Sequence, residues 1–216
     1  MLVHDGGALE GDLGEDLNGP ARHAAERART EQRSLYLEDG DRALFAAPIH
    51  TTPLLLIFGA GHVGAALCHA AAAAGFRVHV ADEREQLLTP DRLPTAHRLH
   101  DDLQDPDLPF GPQTWVMITT HDHALDQRLL ERGLRQDHRW IGVIGSRRKA
   151  ELTRQRLAHR GFAEDVIARV RIPVGIAIGA ETPEEIAVSI LAELIASRRQ
   201  VSVTNQPRLE RKARGS

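Results

Sequence analysis

From about residue 54 onward the chain alternates between short continuous apolar runs and longer stretches in which apolar positions recur at helical spacing. The runs Leu54 to Phe58, Arg77 to Ala81, Ala96 to Leu99, Trp115 to Thr119, Trp140 to Ile144 and Val174 to Ile178 predict strands. Most lack a polar alternation, as strands covered on both faces of a parallel sheet do. Between them, Val63 to Ala74, Ala124 to Arg135, Arg147 to Arg160 and Pro183 to Arg198 predict helices, the first and third stopped by Gly75 and Gly161. The last begins with Thr182, Pro183 and Glu185, the residue types of a capping box with proline in the first helical turn. The expected fold is α/β, a Rossmann-like doubly wound parallel sheet over residues 54–200.

Residues 1–50 break this rhythm. Two short strands around Asp5-Gly6-Gly7, a helix from Ala21 to Gln32 and a hairpin from Ser34 to Ile49 turning at Glu38 to Asp41 predict a small α+β amino-terminal appendage. His50 to Pro53 reads as the linker, and residues 206–216, with four basic residues against one acidic, read as a disordered tail.

Composition narrows the class. A length of 216 residues suits one main domain with an appendage. Hydrophobic residues reach 42% but aromatics only 4%, so the core must be built from Ala, Leu, Ile and Val. A net charge of −3 provides no overall basic field, so no nucleic-acid partner is expected. No window approaches the roughly 18 apolar residues of a membrane span, and the start MLVHDGGALE lacks the basic and apolar regions of an export signal. No membrane partner is expected, and the expected location is cytoplasmic. The single cysteine, Cys68, excludes an internal disulfide and a cysteine-only metal site, and among its alanine neighbours it reads as a small buried hydrophobe.

Four stretches carry candidate chemistry. In LLLIFGAGHVG, Gly59 suits a tight turn, Gly61 the close approach of a phosphate and Gly64 the packing of helix on strand, in the order of a dinucleotide cradle. Asp82 ends the next strand, 18 residues after Gly64, where a carboxylate takes a ribose hydroxyl. His62, after Gly61, is a candidate contact. In WIGVIGSRRKA, Ser146 reads as an N-cap and puts Arg147, Arg148 and Lys149 into a first helical turn, the end where the helix dipole disfavours cations. A bound anion would reverse that sign, and a solvated basic face is the alternative. In TTHDHALD, His121 and His123 could serve as acid, base or hydrogen-bond donor, with Asp122 either a contact or a helix N-cap. In GAETPEE, Glu181 either faces the same crevice or is a solvated acid before a helix. No catalytic nucleophile and no metal set emerge from the spacing.

Taken in order, IFGAGHVG, THDHALD, WIGVIGSRRKA and IGAETPEEIAVSILAELIA resemble the carboxyl-terminal Rossmann domain of the XdhC/CoxI family, the xanthine dehydrogenase accessory proteins. The likeness covers residues 54–200. It implies a chaperone rather than an enzyme, one that binds the molybdenum cofactor (molybdopterin) as cargo and supports its sulfuration by a cysteine desulfurase. Delivery to a molybdenum hydroxylase of the xanthine dehydrogenase type follows from the same resemblance, while the oligomeric state, a homodimer included, is left open by the sequence. NAD(P) binding by an oxidoreductase, or by a nucleotide-sensing module, is the alternative that the glycine loop and Asp82 leave open. Two departures stand out. The family's amino-terminal cysteines are absent, with NGP and EDGDRAL in their places, and Ala177 in PVGIAIG stands where the family usually has aspartate. A sulfur-handling role for such cysteines is therefore not implied here.

Overall fold

The computed structural model describes residues 1–4, 7–31, 33–39, 42–49 and 52–201. Asp5 and Gly6 of the first expected turn, Gln32, the hairpin tip at Gly40 and Asp41, His50 and Thr51 of the linker and the tail 206–216 lie outside them. The chain divides into two units, one from residue 1 to 51 and one from residue 52 onward.

In the first unit β1 (Leu2–Val3) pairs antiparallel with β2 (Leu9–Glu10), and β3 (Leu35–Asp39) with β4 (Arg42–Ala46). The helix α1 runs Glu15–Glu31 and buries Ala21, Ala24 and Ala28, a stripe at spacings of three and four. It starts six residues before the expected Ala21. Asp12 accepts hydrogen bonds from the Gly14 N–H and the Asn18 amide while Asn18 accepts from the Leu13 N–H, which starts the helix early. Pro20 is tolerated inside it because the carbonyl it leaves unbonded, that of Asp16, belongs to an exposed residue.

The second unit is a five-stranded parallel sheet of β5 (Leu54–Phe58), β6 (Arg77–Ala81), β7 (Arg98–His100), β8 (Gly111–Ile118) and β9 (His138–Val143) in the order β7-β6-β5-β8-β9. The chain reverses direction of growth between β5 and β8, the switch point at which open parallel sheets leave a crevice outside their carboxyl ends. Residues along each strand divide between two layers. Leu55, Ile57, Val78, Val80, Trp115 and Met117 meet α2 (His62–Ala73) and α6 (Pro183–Arg198). Leu56, Phe58, Val116, Ile118, Ile141 and Val143 meet α3 (His123–Leu134), α4 (Arg147–His159) and α5 (Glu164–Ala168). Both faces are covered, which is why the strand sequences show no polar alternation. The alanines of α2 supply the close packing expected of a core poor in aromatics, since α2 and α6 pack on each other. Cys68 is fully buried among them, and burial pushes its thiol up from the usual range.

The expected sixth strand, Val174 to Ile178, does not form. Instead Arg171 and Val174 bond to the backbone of β9, Arg171 N–H to Ile141 O at 3.0 Å and Val174 N–H to Val143 O at 3.2 Å. Pro173 has no N–H to continue a ladder, and Gly175, at φ 101°, turns the chain away. The third strand begins at Arg98, two residues later than expected, and the fourth extends back to Gly111 with an irregularity before Trp115. The helix α5 has no counterpart among the expected elements.

Candidate functional site

The glycine loop after β5 shows which glycines the fold needs. Gly59 sits at φ 110°, and a Cβ on it would lie 2.7 Å from the Thr119 carbonyl oxygen. A Cβ on Gly64 would collide with the carbonyl of Gly59. Gly61 is different. Its φ of −66° suits any residue, and a Cβ there would meet nothing within 4 Å. It is the N-cap of α2 yet offers no side-chain hydrogen bond, so the first-turn N–H groups receive no side-chain cap. His62 follows at the surface.

Thr119, buried at the end of β8, fastens this loop: its N–H donates to Phe58 O at 2.8 Å and its hydroxyl to Gly59 O at 3.2 Å. Asp82 fastens it from the other side. Its Oδ2 accepts from the Ala60 N–H at 2.7 Å and from Arg84 Nη2 at 2.6 Å, and its Oδ1 accepts from the Arg84 N–H at 2.9 Å and Nε at 2.8 Å. Burial raises the pKa of this carboxyl, but the hydrogen bonds from Arg84 and Ala60 outweigh it and hold the group below the usual carboxylate range. Both oxygens of Asp82 are thus engaged within the protein, two donors to each.

At the far side of the switch point, α3 and α4 enclose a cavity of about 250 Å³ whose walls include His123, Asp126, Ser146, Arg148, Lys149 and Arg156. Ser146 is the N-cap of α4, its hydroxyl accepting from the Lys149 N–H at 3.2 Å. Arg147 and Arg148 are exposed in the first turn, where no acidic residue accompanies them. Lys149 is not a free cation. Its ammonium donates to Asp126 Oδ2 at 2.5 Å and to the Ile144 carbonyl at 2.8 Å, while Asp126, 2% exposed, also accepts from the Thr120 hydroxyl at 2.6 Å. This buried network ties the loops after β8 and β9 together. Sequence reasoning missed Arg84, Thr119, Thr120 and Asp126; nothing in local spacing links residues 23 apart such as Asp126 and Lys149.

The remaining expected residues divide. His121 and His123 are exposed at the start of α3. Asp122 is the N-cap of that helix, its carboxylate accepting from the Ala124 and Leu125 N–H groups, and those bonds hold its pKa low. Glu181 is exposed; its N–H, with that of Thr182, donates to the Glu185 carboxylate in the capping box expected for α6. None of Gly59, Gly61, His62, Gly64, Asp82 or Glu181 lines the cavity. The cradle after β5 and the basic turn after β9 nonetheless share one sheet edge, two strand spacings or roughly 10 Å apart. Among the described residues no group of three His, Cys, Asp or Glu could hold a metal ion, and no helix is long and apolar enough to cross a membrane.

A family model of the XdhC Rossmann domain matches residues 55–194. An uncharacterized protein of Escherichia coli, YqeB, is 37% identical over 160 residues, which are 72% of this chain and 29% of that one. A probable xanthine dehydrogenase subunit of Bacillus subtilis is 34% identical over 163 residues, 74% of this chain and 47% of that one. The crystal structure of a xanthine dehydrogenase from Bacillus halodurans superposes with a TM-score of 0.62 at 31% identity, covering 76% of this chain and 47% of that one. The chain thus spans less than half the length of each of these relatives.

Proposed function

The chain belongs to the XdhC Rossmann-domain family, and we propose that it binds the molybdenum cofactor as cargo and assists its maturation for a molybdenum hydroxylase of the xanthine dehydrogenase type. The carrying observation is Gly61: the fold does not require glycine there, and its lack of a side chain leaves open space at a helix N-terminus that has no side-chain cap. Such a terminus presents backbone N–H donors and the positive end of the helix dipole to a phosphate. Within this reading the cradle of Gly59, Gly61 and Gly64 takes the phosphate of the pyranopterin, with His62 beside it. Arg147 and Arg148, cations in a first helical turn that holds no acidic residue, take a second anionic group. His121 and His123, exposed between the two, offer donors to the pterin or to the oxo and sulfido groups of the metal. The cavity between α3 and α4 is below the ~300 Å³ usual for whole ligands, so it holds a portion of the cargo. Asp122, Ser146 and Lys149 contribute by setting the helix starts, and in this reading Glu181 faces the same crevice from the turn into α6.

In this role no bond of the cargo is broken by the protein itself. A cysteine desulfurase supplies sulfur, the hydroxylase receives the product, and a second copy of the chain completes a homodimer. The likeness to proteins named for xanthine dehydrogenase supports the hydroxylase side of this scheme. The rival reading, an NAD(P)-dependent oxidoreductase, is disfavoured by Asp82, whose oxygens are committed to Arg84 and Ala60.

Titration of molybdopterin into the protein and into the R147A/R148A variant tests the proposal. Removal of both guanidinium groups should weaken binding at least about tenfold, the loss of one or two charge-assisted hydrogen bonds. Unchanged affinity would sink the basic turn as part of the site.

A further inference from the structure

In open sheets of this type, a carboxylate at the end of the second strand receives the ribose diol of a dinucleotide whose pyrophosphate lies on the glycine loop. Here that carboxylate already has an occupant. Four donors surround Asp82, three of them from Arg84, at 2.6 to 2.9 Å, and Asp82 is 4% exposed. A carboxylate offers about four lone-pair positions, so a ribose could enter only by displacing the guanidinium from a part-buried, charge-assisted pair. Arg84 can hold this position because it lies two residues after Asp82, and the chain turns there into a short 3-10 turn at Glu85–Leu87.

We infer that Arg84 is a built-in substitute for a ribose at the tip of β6, a specificity-determining residue that turns the cradle away from adenine dinucleotides and toward phosphorylated ligands with no ribose diol at that place. The inference rests on the cradle being a phosphate site, the reading proposed above. It adds what that reading leaves open: which class of phosphate ester enters.

Calorimetric titration with NAD+ provides the test, using the full chain, R84M, which keeps the aliphatic stem without donors, and R84A, each checked for folding by circular dichroism. The unaltered protein should bind NAD+ only at millimolar concentrations. R84M and R84A should tighten binding at least about tenfold, because the ribose diol gains the freed Asp82 oxygens. Tight NAD+ binding by the unaltered protein, or no gain in both variants, overturns the inference. So does tighter binding of NADP+ than NAD+ that weakens in R84M, since Arg84 would then be receiving a 2′-phosphate. A parallel titration with inorganic pyrophosphate keeps the two ideas apart. Pyrophosphate binding without a gain for NAD+ rejects the role of Arg84 alone, whereas absence of pyrophosphate binding rejects the phosphate cradle and the inference with it.

Discussion

Gly61 and Gly64 belong to one motif and differ in their whole physical basis. Gly64 is excluded from carrying a side chain by the Gly59 carbonyl, while the space beside Gly61 is empty. Gly64→Ala should therefore destabilise the protein by roughly 1–3 kcal/mol or more through overpacking. Gly61→Val should leave stability within roughly 1 kcal/mol, the N-cap preference for glycine over valine being the main cost, yet abolish measurable cargo binding. Urea unfolding read beside cofactor titration checks both, and a Gly61→Val protein that still binds would remove the cradle from the site. The same scale separates the cations of the basic turn. Arg147 and Arg148 are free to meet a ligand, but Lys149 is the partner of a nearly inaccessible carboxylate, and its removal would leave Asp126 charged and buried.

Among the elements, β6 and β7 meet through a histidine pair. His79 Nδ1 and His100 Nε2 lie 3.0 Å apart, both side chains buried, with His97 stacked on His79. One imidazole must donate and the other accept, an arrangement that the neutral pair satisfies and two imidazolium rings cannot. Burial, then His100, His97, Arg77 and Arg98, push His79 down to about 4; burial and Arg98 push His100 down as well, against Asp105 and Asp101. In the unfolded chain an imidazole titrates near 6.5, so as pH falls the unfolded state takes up the proton first. The contribution is complete above about pH 6.5, declines as pH drops toward 4, and levels below that, with roughly 3 kcal/mol lost for His79 from 1.36 kcal/mol per unit. Urea midpoints measured between about pH 7.5 and 5, before most carboxylates titrate, should decline in the unaltered protein and flatten in His79→Asn. A level profile in the unaltered protein would contradict the paired, neutral arrangement.

For the molecule as a whole, the two apolar layers of the second unit draw every buried member from residues 55–194. A chain of residues 52–201 should thus unfold cooperatively on heating and retain at least part of the affinity for the cargo; a molten, non-cooperative product would show that the amino-terminal unit completes the fold. The short β1–β2 and β3–β4 pairs, by contrast, are hairpins of a kind that is marginal in water, and α1 provides the face on which β3 and β4 pack.

Features settled by near neighbours are legible in the chain before any folding is known. Continuous apolar runs announce strands with two covered faces, Thr182 and Glu185 announce a helix start, and the G-x-G-x-x-G spacing announces the turn after β5, because each depends on atoms a few residues apart. The four ordered motifs carried the family as well. The duties of the charged residues in those motifs emerge only once the chain is folded. Asp82 looks free in sequence and is spoken for by Ala60, 22 residues away, as well as by Arg84; Lys149 looks like an anion ligand and is held by Asp126 across two helices. The apolar run at Val174 to Ile178 reads as a strand, yet the ladder it would join is met earlier, at Arg171, and is interrupted at a proline without an N–H. A side chain's apolar character is its own property, whereas the partner of a charge or of a backbone N–H is chosen by whichever distant segment the fold brings within hydrogen-bond reach.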